Sequence, residues 1–139
     1  RNVLHVNLDG TFYVTRDVAR VMSVQRAGTM ILITSDRGVH GSIDYAHYAA
    51  AKGGMIALTK SLALTMGKFG VTVNAVNPGL TDTPLGRAAN PAWQEKMAID
   101  VLGKVSEPAD VAEMVLFLAG KGGGFMTGQI VGARMRYGA

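Results

Sequence analysis

The sequence predicts an α/β fold in which a parallel sheet is flanked by helices. Two short segments, 29–34 and 71–76, are rich in apolar residues, as expected of strands that are buried on both faces. Longer segments with apolar residues three and four positions apart alternate with them, which is typical of amphipathic helices. Strands separated by helices usually pair in parallel. With 139 residues, of which 48% are hydrophobic and 17% charged, the chain has the size and composition of one globular domain.

The first half of the chain is predicted to form a helix, a strand and a second helix. The first helix covers 2–25, and the strand at 29–34 follows it. A loop is expected at 36–44. The second helix covers about 45–69 and ends at Gly70, a residue that favours helix termination.

The second half is predicted to contain a strand, a polar excursion with short helices, a helix, a glycine-rich loop and a last strand. The strand covers 71–76, the polar excursion 80–105 and the helix 108–119. The glycine-rich loop covers 120–124, and the last strand begins at about 129.

The helix at 45–69 carries two apolar stripes. The first has spacings of three and four and contains Met55, Leu58, Leu62 and Met66. The second has spacings of seven and contains Ala49, Ile56 and Ala63. One stripe can pack on the sheet. The other is predicted to pack on the same helix of a second subunit, so a homo-oligomer is expected.

Composition argues against several classes of function. The chain has no cysteine, which excludes disulfides and thiolate metal sites, and its three histidines have no metal-ligand spacing. The net charge is +4, but the basic residues are scattered, so nucleic-acid binding is not expected. No apolar segment is as long as a membrane span and no signal segment begins the chain, so we expect a cytoplasmic protein without metal.

The most informative pattern is Tyr48 followed four positions later by Lys52, with Ser35 thirteen positions before the tyrosine. Residues four apart lie on one face of a helix. A nearby ammonium favours the phenolate form of a tyrosine, which makes the phenol a better acid or base at neutral pH. Ser35 comes directly after a predicted strand, where its hydroxyl can hold a substrate oxygen. The three residues together suggest an alcohol–carbonyl interconversion.

This pattern resembles the short-chain dehydrogenase/reductases, in particular their 3-oxoacyl-[acyl-carrier-protein] reductase-like members. Further similarities follow in family order at Asn7, 74–79, 107–112 and 127–130. The resemblance implies the C-terminal half of a doubly wound, Rossmann-like parallel sheet with flanking helices. On this interpretation residues 1–139 are a partial domain. They lack the family's Gly-rich cofactor turn, and their one dense glycine run, 120–124, follows a helix.

The resemblance also implies roles for individual residues. Tyr48 would be the general acid/base, Lys52 would assist it and bind the nicotinamide ribose, and Ser35 would orient the substrate oxygen. Asn7 would hold a water that relays protons to Lys52. The implied cofactor is NAD or NADP, and the implied partner is a small carbonyl or alcohol substrate. We expect the chain by itself to bind the cofactor weakly and to be inactive.

The segment after the second predicted strand would complete the site. In the family, Pro78 and Gly79 lie under the nicotinamide, and Thr81 or Thr83 would bind its carboxamide; Tyr48 and Lys52 also contact the cofactor. Residues 82–104 would form a substrate lid. An apolar pocket wall is suggested by the apolar residues within this polar segment, which are Pro84, Leu85, Pro91, Trp93, Met97, Ile99 and Leu102.

Two segments depart from the family pattern. Asp36 and Arg37 replace the small residues usual after the serine, and Arg134 and Arg136 lie where an apolar strand is expected. An alternative to an enzyme therefore stays open. The chain would then be a non-catalytic fragment that functions only by association with another chain, through its helices or an unpaired sheet edge.

Overall fold

A computed structural model describes residues 2–90, 92, 95 and 100–132 of the chain. Helix α1 is continuous over three segments, Asn2–Leu4, the π-helical His5–Asp9, and Gly10–Gln25. The other helices are α2 (Asp36–His40), α3 (Ala46–Met66), α4 (Pro84–Ala88) and α5 (Pro108–Ala119). Short 3-10 turns at Gly67–Phe69 and Lys121–Gly123 follow α3 and α5. The strands are β1 (Gly28–Ile33), β2 (Val71–Asn77) and β3 (Ile130–Gly132).

The three strands form a parallel sheet in the order β1-β2-β3. Gly28 lies opposite Val71, and Ala75 lies opposite Ile130. All strands therefore end at the same edge of the sheet, and the loops that follow β1 and β2 meet there. The predicted α/β fold with a parallel sheet is confirmed.

One face of the sheet carries the main apolar core. Alternate residues of β1 and β2 turn to this face, where α1 and α3 pack against them. The buried members are Met30, Leu32, Met55, Ala63, Met66, Val71, Val73 and Ala75. Helix α5 contacts β1 and β2 without contributing to this cluster, and its Leu118 is 1% exposed. Helices therefore flank the sheet on both sides.

The strand at 29–34 was predicted to be buried on both faces, and this holds only in part. Met30 and Leu32 are buried, but Ile33 is 42% exposed. Strand β1 pairs with β2 alone within the described part of the chain, so its outer edge and part of its second face remain uncovered.

The segment 36–44 was predicted to be a loop, but its first five residues form α2. Ser35 caps this helix, since its Oγ accepts a hydrogen bond from the Arg37 N–H at 3.3 Å. Gly38 lets α2 approach α3 closely, because a Cβ at this position would come within 2.7 Å of the Lys52 carbonyl carbon. A five-residue helix is too short to give a periodic apolar pattern, which explains why the sequence did not indicate it.

The two stripes of α3 have different outcomes. Met55 and Met66 of the first stripe are buried in the core, as predicted. In the second stripe Ala63 is only 6% exposed, so this residue does not offer a free surface. The exposed stripe lies one residue further along the chain, at Ala50, Ala57 and Leu64. The outward stripe is thus displaced by one position because Ala63 packs into the core, while the pairing of α3 with a second subunit stays a prediction.

A buried amide connects β2 to the segment before β3. The Asn74 side chain, which is completely buried, donates to the Met126 carbonyl at 2.7 Å and accepts from the Gln129 N–H at 3.0 Å. Thr127 adds a hydrogen bond, because its Oγ1 accepts from the Val73 N–H at 3.0 Å. These bonds explain the polar residues that flank β3 in the sequence.

We expect Asn74→Leu to lower the free energy of unfolding by about 1–3 kcal/mol, because it leaves the Met126 carbonyl and the Gln129 N–H without their partner. Urea unfolding followed by circular dichroism measures the change. Gln25→Leu, the same kind of substitution at an exposed position, is the control and should have little effect. Equal stability of the two variants would contradict this assignment.

The predicted lid at 82–104 is described only in part. Its apolar residues Pro91, Trp93, Met97 and Ile99 lie outside the described residues, as do Arg134 and Arg136. Leu85 and Leu102, which are described, are 79% and 62% exposed. The start of the segment is held by an ion pair of Asp82 with Arg87, and by a bridge of Thr81 to Ser106.

Candidate active site

The candidate site lies at the edge of the sheet where β1 and β2 end. Ser35 comes two residues after the end of β1, and Asn77 is the last residue of β2. Helix α3 packs along the same face and carries Tyr48 and Lys52 in its first two turns. In parallel α/β sheets, ligands generally bind outside the carboxyl ends of the strands.

Lys52 is anchored to the end of β1. Its Nζ donates to the Ile33 carbonyl at 2.8 Å. Because the Thr34 N–H is bonded to the Val76 carbonyl of β2, the neighbouring carbonyl of Ile33 faces away from β2 and is available to the lysine. Partial burial lowers the pKa of Lys52 below its ordinary value, since the charged form loses hydration.

Tyr48 and Lys52 lie one turn apart on α3, as their spacing predicted. The Lys52 Nζ lies 5.7 Å from the centroid of the Tyr48 ring. Tyr48 is partly exposed at the site. The structure therefore brings a phenol and an ammonium together at the end of β1.

Ser35 is both a helix cap and a candidate ligand for substrate. It accepts the hydrogen bond from the Arg37 N–H through Oγ, and its O–H is left to donate. The serine is partly exposed and stands between β1 and α2. Its predicted position at a strand end is correct, whereas its capping role is an addition from the structure.

Asn7 is located in the π-helical segment of α1. Its side-chain amide donates to the Val3 carbonyl at 3.1 Å, and its backbone carbonyl accepts from the Thr11 hydroxyl at 2.6 Å. The next residue, Leu8, contacts α3 at Gly54, where a Cβ would come within 2.9 Å of the leucine side chain. The described hydrogen bonds of Asn7 thus stay within α1, although π-helical turns often occur at functional sites.

The turn after β2 is tied to the start of α2 by Asn77. Its Nδ2 donates to the Asp36 carboxylate at 2.5 Å, and its Oδ1 accepts from the Gly79 N–H at 3.2 Å. Gly79 has a φ of 67°, a left-handed conformation that favours glycine. Asn77 therefore holds the Pro78-Gly79 turn against the loop that carries Ser35.

The two candidate threonines differ in their bonding. Thr83 caps α4, because its Oγ1 accepts from the Gly86 N–H at 2.9 Å. The Thr81 Oγ1 is buried, and it has no hydrogen-bond partner among the residues that the structure describes. A buried hydroxyl without a partner is costly, so Thr81 is the better candidate to bind a ligand.

In the sequence, Asp36 and Arg37 stand out only as a departure from the family. Their contacts with Asn77 and with the two tyrosines could not be predicted from it. The guanidinium carbon of Arg37 lies 4.2 Å from the Tyr45 ring centroid and 6.0 Å from that of Tyr48. The signal was the unusual charge directly after Ser35, but only the structure shows which rings it meets.

Other site types find no support within the described residues. No group of three or more His, Asp or Glu side chains there is arranged to hold a metal ion. None of the described helices combines the length and the apolar character needed to cross a membrane.

Comparison with known proteins identifies the family to which the chain is related. The family model described as Enoyl-(Acyl carrier protein) reductase matches residues 1–133. The 3-oxoacyl-[acyl-carrier-protein] reductase of Thermotoga maritima is 36% identical over 131 residues, which cover 94% of this chain and 53% of that protein. The chain thus spans about half the length of this relative.

Two solved structures have the same fold. A 3-oxoacyl-[acyl-carrier protein] reductase from Brucella melitensis with bound NAD gives a TM-score of 0.85 at 34% identity, over 96% of this chain and 49% of that one. The second is a Beutenbergia cavernae protein assigned as an NAD(P) dependent gluconate 5-dehydrogenase, with NADP bound at low occupancy. Its TM-score is 0.89 at 30% identity, over 93% of this chain and 53% of that one.

These solved relatives bind a nicotinamide cofactor, and this chain spans about half of each of them. The match to the family model covers nearly the whole chain. The chain belongs to this reductase family, within the short-chain dehydrogenases/reductases, and resembles 3-oxoacyl-[acyl-carrier-protein] reductase.

Proposed function

We propose that the chain is the catalytic half of an NAD(P)-dependent oxidoreductase that interconverts a carbonyl and an alcohol. The observation that carries this proposal is the pairing of Tyr48 with Lys52 beside Ser35, at the carboxyl end of β1. A phenol next to a cation can exchange a proton with a substrate oxygen. The Ser35 hydroxyl, which follows the end of the same strand, would donate a hydrogen bond to the same oxygen.

In the reductive direction, Tyr48 donates its phenolic proton to the carbonyl oxygen as that oxygen gains negative charge. Ser35 orients the oxygen and stabilises this charge with its hydroxyl proton. Lys52, held by the Ile33 carbonyl, stabilises the phenolate left on Tyr48. In the oxidative direction the same groups act in reverse, with Tyr48 as the base.

The residues after β2 fit a nicotinamide cofactor, which supplies or accepts the hydride when bound. The buried Thr81 Oγ1, which none of the described residues hydrogen-bonds, can bond a polar group such as a carboxamide. Pro78 and Gly79 form a turn that Asn77 holds in place, and the glycine leaves room beside the backbone. Thr83 is less suited, because its side-chain oxygen already caps α4.

Asn7 has a supporting role in this proposal. A π-helical segment differs from an α-helix in its hydrogen-bond pattern, so it can leave a backbone carbonyl without its usual donor. A water bound there would link α1 to Lys52 and relay protons to it. This role rests on the position of Asn7 in the segment and on the family resemblance.

Lys52→Gln tests the proposal in the natural protein that contains this chain. We expect kcat for carbonyl reduction to fall by roughly 10²-fold or more, because the phenolate of Tyr48 loses its stabilising charge. Oxidation of NADH or NADPH, followed by absorbance with a panel of carbonyl compounds, measures the rate.

Lys60→Gln is the matched control, since Lys60 lies on the same helix but is exposed and remote from β1. It should keep the rate of the unmodified protein. If Lys52→Gln retained that rate as well, the ammonium would have no part in the reaction.

A second candidate function, association without catalysis, is favoured by the open edge of β1. A groove of about 570 Å³ lies between α1 and this edge, and it is lined mainly by apolar residues, including Val6, Val14 and Ile31. A strand from another polypeptide could pair with the open edge of β1. The coding sequence upstream of Arg1 discriminates between the two candidates, because an in-frame Gly-rich strand–turn–helix segment would favour the enzyme.

We propose further that the protein is a homo-oligomer that pairs through α1 and α3. Their outer faces expose apolar side chains, such as Phe12, Tyr13 and Leu64, of which Leu64 is 87% exposed. Ala50 and Ala57, in line with Leu64, would let two copies of α3 approach closely.

Leu64→Glu is expected to dissociate the oligomer, because it places a charge in the centre of this surface. Sedimentation velocity at tens of micromolar protein measures the mass of both forms. Ile43→Glu is the control, since Ile43 is completely exposed in the loop before α3. A monomeric unmodified protein would disprove the proposed pairing.

A further inference from the structure

Arg37 lies at the candidate site, and its charge has no ionic partner in the described part of the chain. Each ion pair of an arginine with a carboxylate in the described part of the chain involves Arg16, Arg20 or Arg87. The Arg37 side chain has no hydrogen-bond acceptor among the described residues either. Its adjacent carboxylate, Asp36, is bonded instead to the Asn77 amide on β2. Arg37 is a half-buried residue, and no described carboxylate forms an ion pair with it.

The aromatic contacts of Arg37 determine which part of the guanidinium stays available. Its carbon atom lies over the Tyr45 ring, 4.2 Å from the ring centroid, which is within the range of a cation–π contact. Stacking uses the face of a guanidinium, whereas its five N–H donors point outwards in the plane. The tyrosine thus holds the group in place and leaves the donors for a ligand.

The position of Arg37 relative to Tyr48 restricts where such a ligand would bind. The guanidinium carbon is 6.0 Å from the centroid of the Tyr48 ring, and Arg37 is two residues from Ser35 on the same capped helix. An anion bound to Arg37 would therefore lie within a few bonds of an oxygen held by Tyr48 and Ser35.

We propose that Arg37 determines specificity by binding a carboxylate of the substrate, close to the carbonyl that is reduced. The substrate class is then a short oxo acid or the corresponding hydroxy acid. This inference rests on the function proposed above. A planar guanidinium pairs with a carboxylate through two parallel N–H···O bonds, which lysine or a neutral side chain cannot reproduce.

A matched pair of probes tests the inference in the natural protein that contains this chain. Acetoacetate carries a carboxylate beside its ketone, and methyl acetoacetate is its neutral ester. Titrations followed by NMR should show the Nε–H signal of Arg37 shifting with acetoacetate and staying in place with the ester. Because hydrogen bonds to charged groups are the strong ones, Arg37→Gln should weaken acetoacetate binding by roughly 10- to 100-fold.

The ester should bind Arg37→Gln and the unmodified protein alike. Arg20→Gln, on the exposed face of α1, is the control and should bind both probes normally. An equal loss of both probes in Arg37→Gln would overturn the inference and leave Arg37 as a support for the two tyrosines. Unchanged acetoacetate binding would also overturn it.

Failure of the Arg37 proposal can be distinguished from failure of the proposed oxidoreductase function. If acetoacetate binds through Arg37 but neither probe is turned over with NADH or NADPH, the site recognises carboxylates and the proposed function fails. If both probes are reduced with equal kcat/KM and Arg37→Gln changes neither value, the reductase function stands and the role of Arg37 is rejected.

Discussion

Tyr48→Phe in the natural protein is expected to lower kcat/KM for carbonyl reduction by about 10²- to 10⁴-fold, the usual range for loss of a general acid. Phenylalanine keeps the ring beside Lys52 and Arg37 but has no proton to donate. The fold should therefore persist. Steady-state kinetics with NADH or NADPH measure the loss, and circular dichroism checks the structure.

Tyr45→Phe is the matched control for this substitution. Tyr45 lies three residues earlier, at the start of α3, and also faces Arg37, but it is 39% exposed and not proposed to donate a proton. Its hydroxyl should be dispensable, with turnover close to normal. Near-normal turnover of Tyr48→Phe would place the acid elsewhere in the protein.

Gly38→Ala is expected to have the largest effect on stability among conservative substitutions near the site. The Cβ of the new alanine would lie 2.7–2.9 Å from backbone atoms of Lys52 and Gly53 and from the Lys52 Cβ. These atoms belong to α3, so no side-chain rotation can relieve the clash. Crowding of this kind in a packed region typically costs about 1–3 kcal/mol. Urea unfolding measures the loss.

The same substitution should also impair catalysis, because relief of the contact moves α2 away from α3. That shift separates Ser35 and Arg37 from Tyr48 and Lys52. We expect kcat to fall in the natural protein even where it remains folded. Unchanged stability together with unchanged kcat would mean that the close approach of the two helices is not needed.

Gly67→Ala provides the comparison for Gly38→Ala. Gly67 lies at the end of α3 with helical backbone angles, and a Cβ there meets no atom of the described residues within 4 Å. Replacement of a glycine in a compatible conformation usually stabilises by about 0.4–1 kcal/mol, because the unfolded chain loses freedom. The stability changes at Gly38, in α2, and at Gly67, at the end of α3, should therefore have opposite signs.

Several features of the site were predictable from the sequence because they depend on local spacing. Tyr48 and Lys52 lie on one turn of a helix because they are four residues apart, and no distant residue is needed for that. Ser35 follows a strand because an apolar segment precedes it. The parallel sheet follows from strands that alternate with long helices.

Features that depend on small shifts of one helix against another were not predictable. The outer stripe of α3 lies one residue away from its predicted position, because Ala63 packs into the core. The short helix α2 exists because Ser35 caps it and Gly38 allows it to pack against α3, and neither effect creates a periodic pattern.

The sequence by itself determined the family, the fold class and the Tyr48–Lys52 pair, since these follow from ordered motifs and helical periodicity. The tertiary structure alone decided that Lys52 is anchored to the Ile33 carbonyl and that Asn77 bonds Asp36. It also placed Arg37 between two tyrosines. The physical reason is that each of these contacts joins side chains to groups on separate elements, whose distances are set only when the helices pack on the sheet.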